Sequence, residues 1–405
     1  MKKLKSIIIN ILNAEFKQNG GKMKTKHTII IGLFLTIFCI SAAFADTNVS
    51  GNISSDATWT RDNSPYIVTG TVYVLTGVTL TVDDSVTVKF NDNLILYVYG
   101  TLNADGSTYG ITFTSSNAIP FPGAWNYIQV GNGSYEGSAT FQNCQFEYAK
   151  KFYHYNGNTS MTDCTLANFF YYGVECYDSL SMTNTDINLA GYHPSYGTGI
   201  YAGSGTNADL DNVSIINCVR GLYVHSSANV NMVNNSNIDG AYYYGVESYG
   251  TLNMTDTDID LVGYHTSYGY GIYAGSASKD TLDNVNISNC SYGLMIVSSN
   301  TSVDMTDTDI SSCGWPIRYN GPGALTLHGT NHLTGNTVDA IYVNHSSNSN
   351  NWVLPSLDNL SRGLEDYVPY YFYNSYTINT APIQFDHYIR FHSNISSRID
   401  SKITQ

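Results

Sequence analysis

The chain has 405 residues and carries 32 Asp and Glu against 18 Lys and Arg, a formal net charge of −14. That acidic balance excludes nucleic acid and anionic membrane as partners. The length exceeds one ordinary compact domain, yet no linker-like stretch divides it, and internal repetition reconciles the two.

In chain order, residues 1–45 come first. "MKTKHTIIIGLFLTIFCISAAFA" (Met23 to Ala45) combines two lysines, an apolar run and a small-x-small ending at Ala43, Phe44 and Ala45. This is the pattern of a secretory signal peptide cleaved before Asp46, with Met23 an alternative start. The run is too short, and too soon followed by polar residues, for a membrane span. The mature chain is therefore expected to be exported, to the extracellular space or the cell surface. Seven of the basic residues and one of the acidic ones lie before Asp46, leaving 11 against 31, a balance of −20.

Residues 46–136 have a longer period than the rest of the chain and are expected to supply an N-terminal cap and the first turns. From 137 to 345 a regular repeat takes over. Glycines preceding short apolar strands fall at Gly173, Gly199, Gly221, Gly245, Gly271 and Gly293, with gaps of 26, 22, 24, 26 and 22 residues. The phrase "GYHPSYGTGIYAGS" (residues 191–204) returns as "GYHTSYGYGIYAGS" (263–276), an offset of 72 residues that is the sum of three such gaps. Within each period the apolar residues alternate in short bursts, as strands do. One aligned column reads Phe141, Met161, Met182, Leu210, Met232, Met254, Leu282, Met305; another reads Phe146, Leu166, Ile187, Ile215, Ile238, Ile259, Ile287, Ile310. Rungs stacked at about 4.8 Å would merge these columns into one continuous core.

The rungs "DNVSIINCVRGLYV" and "DNVNISNCSYGLMI", with the opening run "SPYIVTGTVYVLTGVTLTVDDSVTVKFNDNLILYVYGTLNADG", resemble the right-handed parallel β-helix proteins of the pectin-lyase-like superfamily. The resemblance implies an all-β fold, a right-handed parallel β-helix with three parallel sheets and about nine regular coils of 22–26 residues. It implies less about activity, since that superfamily holds lyases, hydrolases, epimerases and adhesins.

Two residues beyond the first apolar column stand Asn143, Asp163, Asn184, Asn212, Asn234, Asp256, Asn284 and Asp307. Five of these eight are neutral amides, poor ligands for calcium, so the file reads as turn residues bonding backbone at a corner. No cofactor is expected, and calcium is unsupported. Six cysteines remain after cleavage, and their spacing fits no metal motif. Cys144/Cys164 and Cys290/Cys313 share columns in neighbouring rungs, where a bridge fits if the compartment is oxidising. Cys176 and Cys218 are expected as buried thiols.

Strand alternation after each glycine turns Glu175, Tyr201, Tyr223, Glu247, Tyr273, Met295, Arg318 and Tyr342 outward on one face, with Tyr177, His225 and Tyr249 in the next file. In carbohydrate-active members of the resembled superfamily this sheet and its loops line the substrate groove. The duplicated loops add Tyr192, His193 and Tyr196, then Tyr264, His265 and Tyr268, three rungs or roughly 14 Å apart. Tyrosine joins an apolar ring to a polar tip, which suits sugars. Glu175 and Glu247 are also roughly 14 Å apart, beyond the ~5 to 9.5 Å of a glycosidic acid pair. Arg220 and Arg318 show no clear acid cluster beside them in the sequence.

No catalytic or metal-binding residue is assigned. The expected function is non-catalytic polysaccharide binding by a monomer through its tyrosine-rich face. A polysaccharide lyase or glycoside hydrolase, and a structural surface protein or adhesin, are the alternatives. Finally, "VPYYFYNSYTIN" and "YIRF" (Val368 to Phe391) echo "SPYIVTGTVYV" and "VTVKF" (Ser64 to Phe90). Residues 346–405 are accordingly expected to begin a second, truncated β-helix module.

Overall fold

Among the described residues of the computed structural model every strand pair is parallel, and each strand pairs with the one a full turn of chain away. The structure describes residues 46–189, 197–261, 268–321 and 323–344, together with the backbone of Tyr370–Phe372. The expectations for residues 1–45, for most of 346–405, and for Tyr192, His193, Tyr196, Tyr264 and His265 lie outside the described residues.

Three ladders run side by side. The first holds the strands that begin at the repeated glycines, among them Tyr172–Cys176, Thr198–Ala202, Arg220–Val224, Tyr244–Ser248, Tyr270–Ala274, Tyr292–Ile296 and Trp315–Tyr319. The second and third lie on either side of a corner. The ten-residue strands Ser179–Asn188, Asn207–Ile216, Thr251–Asp260 and Lys279–Ser288 run through that corner and serve both. The predicted apolar columns are the ladders' register partners: Met182 sits on Met161 and under Leu210, and Ile187 on Leu166 and under Ile215. All are fully buried in one core. Each such side chain contributes roughly 1.5–3 kcal/mol by leaving water, and stacking makes each rung's core continuous with its neighbours'.

The repeated glycines are required by close approach. A Cβ on Gly199 would meet Ile215 Cγ2 at 2.2 Å and the Gly221 carbonyl oxygen at 2.6 Å. The start of the first-ladder strand Thr198–Ala202 thus lies directly against the isoleucine column, leaving no room for a side chain.

The coil count is about twelve rather than nine. Strands within residues 46–136 enter the same ladders: Thr79–Val82 pairs with Thr101–Asp105, which pairs with Gly137–Gln142. The longer period expected for residues 46–136 does not hold: coil partners there, such as Thr79 and Thr101 or Thr87 and Thr112, lie as close in sequence as in the later coils, and one coil alone is lengthened, by a loop between Ile111–Ser115 and Tyr127–Val130. These early coils lack the repeated glycine at the start of the first-ladder strand, which is why glycine spacing alone undercounts the turns.

Candidate functional site

The outer surface of the first ladder is a continuous tyrosine face. Tyr201 and Tyr223, register partners, stack at 4.7 Å with planes 4° apart. Tyr177 and Tyr249 flank that pair at 6.1 and 5.8 Å, and Tyr249 continues to Tyr273 at 6.1 Å. A second file, Tyr244, Tyr270 and Tyr292, stacks at 5.5 Å per step. Rings that lie on one another cover each other's faces. The surface therefore presents ring edges and hydroxyls, a hydrogen-bonding ridge rather than a row of open platforms.

Glu175 and Glu247 are set into this face as two copies of one arrangement. The Tyr177 hydroxyl donates to Glu175 Oε1 at 2.8 Å, and the Tyr249 hydroxyl donates to Glu247 Oε1 at 2.9 Å. The reason is local: in a strand, residues two apart share a face, so Glu-x-Tyr brings the phenol to the carboxylate. A cation from the preceding coil closes each arrangement. Lys151 Nζ donates to Glu175 Oε2 while lying 3.8 Å from the Tyr153 ring centroid. Arg220 Nε lies 2.8 Å from Glu247 Oε2, with its guanidinium 5.7 Å from the Tyr244 centroid. Arg220 thus has an acidic partner after all. The contact escapes a reading by neighbouring residues because the partner is 27 positions away and adjacent only across coils.

These carboxylates are mostly covered, with side-chain exposures of 12% and 10%, so the cation offsets much of their desolvation cost. The phenols respond in turn. Burial first, then the glutamate beside each, pushes Tyr177 and Tyr249 well above the ordinary phenol range. Burial followed by the Glu175 charge holds Tyr153 up at about 12, and burial followed by Glu247 does the same for Tyr244. Near neutral pH all four phenols keep their proton, and Tyr177 and Tyr249 donate it to their glutamates.

Register places three coil steps between the glutamates, Glu175 to Tyr201 to Tyr223 to Glu247. At strand spacing that is about 14 Å. Tyr268 lies at the margin, 52% exposed and edge-on to Tyr243 at 6.1 Å. Met295, expected outward, is buried.

The Asn and Asp corner file is structural in a different manner from the one expected. All eight residues adopt left-handed backbone, φ between 47° and 57°, a conformation Asn and Asp tolerate better than other residues with a Cβ. Their side chains mostly bond one another rather than backbone. Asn184 Nδ2 donates to Asp163 Oδ1 at 3.0 Å, Asn212 Nδ2 to Asn184 Oδ1 at 2.9 Å, and Asn284 Nδ2 to Asp256 Oδ1 at 2.6 Å. No two Asp residues are adjacent in the file, so no carboxylates face each other at one strand step. A polar cleft of about 210 Å³ lies beside it, lined by Asn234, Asn235, Asp256, Asp258, Asn284 and Asn286. Among the described residues no group of three or more His, Cys, Asp or Glu is arranged to hold a metal ion. The six cysteines are buried and free.

Parallel ladders, stacked core columns and left-handed corners together define a β-solenoid. A family model described as "Right handed beta helix region" matches residues 198–355, and the fold is a right-handed parallel β-helix, as the resemblance implied. Two solved structures align with it. One is the catalytic domain of a GH87 alpha-1,3-glucanase in complex with tetrasaccharides, at 12% identity and TM-score 0.31, over 71% of this chain and 63% of that one. The other is pectate lyase Pel9A, at 8% identity and TM-score 0.26, over 73% of each chain. The present chain thus spans less than two thirds of the glucanase domain, and likeness this distant assigns no activity. No curated protein matches the chain.

The sequence reading missed Lys151 and gave Arg220 no role. One available signal was the recurrence of Glu-x-Tyr at the 72-residue offset, "VECY" and "VESY", which marks both acids as parts of a repeated unit.

Proposed function

We propose that this chain is an exported polysaccharide-binding protein whose tyrosine face holds an extended glycan without cleaving it. The observation that carries this reading is the Glu–Tyr–cation arrangement, present twice at a three-coil interval along one outer face. A ridge of phenol edges and hydroxyls, with acceptors at a fixed step, suits a polymer that offers hydroxyls at a fixed step of its own. Each acid already accepts from a phenol and pairs with a cation, and the acids are about 14 Å apart, too far for cleavage by two carboxylates. The loops carrying Tyr192, His193 and Tyr196, and Tyr264 and His265, are expected from sequence to border the same face.

A glycan array with the purified chain, followed by reducing-end and unsaturated-product assays on every hit, tests the proposal. Binding without turnover is expected. Turnover would favour a lyase or hydrolase, and absence of any binding would favour a structural surface protein or adhesin. Changing Tyr192 and Tyr264 together to alanine is expected to weaken binding while leaving the thermal unfolding profile in place.

A further inference from the structure

The phenols of the tyrosine face stand close enough together to exchange electrons. From Tyr153 through Tyr177, Tyr201, Tyr223 and Tyr249 to Tyr273, successive ring centroids lie 6.1, 6.1, 4.7, 5.8 and 6.1 Å apart. Strand register carries this file over five coil steps, about 24 Å at strand spacing. Rings at such separations are in near contact, so an electron vacancy created on one can pass to the next.

The proton decides where a vacancy rests. A phenol that loses an electron becomes a strong acid, and a neutral phenoxyl radical forms where a base already holds the O–H. Among the described residues, the members of this file that donate to a carboxylate are Tyr177, to Glu175 Oε1 at 2.8 Å, and Tyr249, to Glu247 Oε1 at 2.9 Å. Lys151 and Arg220 engage the other oxygen of each carboxylate, which keeps Oε1 aimed at the phenol. Each bond exists before any oxidation, so the proton has a short path and no heavy atom need move. The two phenols sit one ring in from either end of the file, and the stacked pair Tyr201 and Tyr223 connects them. Exposure does not single them out: both are half-buried, whereas Tyr109, outside the file, is 71% exposed.

We propose that Tyr177 and Tyr249 are paired sites of one-electron oxidation, where oxidising equivalents delivered to the tyrosine face by an oxidant of the ferryl-haem class come to rest as neutral phenoxyl radicals. In each event the oxidant gains one electron and the phenol loses one. The phenolic O–H bond breaks, its proton forms an O–H bond at Oε1 of the glutamate, and the glutamate then passes that proton to water. The chemistry requires no bound glycan.

The test oxidises the full chain with a photo-excited ruthenium polypyridyl complex, persulfate serving as its electron acceptor, at less than one oxidising equivalent per chain. Phenoxyl formation is followed by transient absorption and by electron paramagnetic resonance, and circular dichroism verifies that each variant is folded. The original chain is expected to react more slowly in deuterium oxide than in water, because electron and proton leave together. Tyr177→Phe combined with Tyr249→Phe keeps the ring contacts and should slow phenoxyl formation about tenfold, the kinetic weight of one charge-assisted hydrogen bond. Glu175→Gln combined with Glu247→Gln keeps both phenols, removes their base and should slow it to a similar extent. Tyr109→Phe should leave the rate as it is. An unchanged rate in either folded double variant, a loss of rate in Tyr109→Phe, or the absence of a deuterium effect in the original chain overturns the proposal.

Discussion

Residues 172–243 and 244–315 are two copies of a three-coil block that share their apolar columns and their outer Glu-x-Tyr pairs but differ in the polar groups buried within. Outside, Glu175, Tyr177 and Tyr201 recur as Glu247, Tyr249 and Tyr273, with the same phenol-to-carboxylate bond in each. Inside, Cys176 becomes Ser248 and Ala208 becomes Asp280. In the first copy, Cys176 Sγ lies 3.6 Å from Nδ1 of the wholly buried His154, its register partner one coil earlier. In the second, the Ser248 hydroxyl donates to Asp280 Oδ1 at 2.7 Å, deep in a column whose neighbours are Leu252 and Val303. The other carboxyl oxygen, Oδ2, has no hydrogen-bond partner. The repeated apolar columns and outer Glu-x-Tyr pairs thus coexist with a different buried polar contact beside each copy.

The largest expected effect is a pH dependence of opposite sign in the two interiors. Burial raises the Asp280 carboxyl from 3.8 to about 7, against the opposing bond from Ser248. The folded state therefore holds that proton more tightly than the unfolded chain, and its stability falls as pH rises from 3.8 to about 7, by on the order of 4 kcal/mol. Asp280→Ala, which copies Ala208, should abolish this loss, read as a denaturant midpoint that no longer declines towards pH 7. An unchanged decline in the variant would mean that the carboxyl is not the cause.

His154 acts in the other direction. Burial lowers its imidazole from 6.5 to about 4, with Asp178 opposing, so stability is full above 6.5 and lost as pH falls through that window, by on the order of 3 kcal/mol. The two windows overlap and partly cancel in the original chain. His154→Leu should unmask the Asp280 slope, and Asp280→Ala the His154 slope. Midpoint profiles that run parallel in both variants would contradict the assignment.

Smaller effects are expected on the outside of the two copies. Glu247→Gln keeps an acceptor for Tyr249 but leaves Arg220 without its charge partner, and a loss of about 1–2 kcal/mol is expected. Glu175→Gln should cost a similar amount through Lys151, since the two sites are built alike. A much larger loss at one of them would show that the copies have diverged in function. Smallest is Asn284→Asp, which replaces an amide donor to Asp256 with a second carboxylate. The expected loss is about 0.5 kcal/mol at low salt, and it should shrink as added salt screens the repulsion.

Much of this was legible in advance. The column Phe141 to Met305 and the column Phe146 to Ile310 were readable because a side chain in a stacked coil has the same neighbours in every turn, so apolar character must repeat. The left-handed corners were readable as Asn and Asp recurring at one position. Tyr201, Tyr223 and Tyr273 were placed on the outer face by strand alternation alone. Less accessible was what the tyrosines do to each other, since stacking at 4.7 Å with nearly parallel planes depends on side-chain rotation that alternation does not set.

Periodicity alone was enough to specify the coil, its three ladders and, Met295 apart, the residues expected to face in or out, because one strand step between identical positions makes repetition equivalent to contact. Which long side chains meet was settled only in the folded molecule. Lys151 reaches Glu175 and Arg220 reaches Glu247 across a coil, while Arg318, in the same series, reaches two rings and an amide. A flexible side chain of several bonds can end at any of several partners one turn away, and the choice among them is made by the packed surface as a whole.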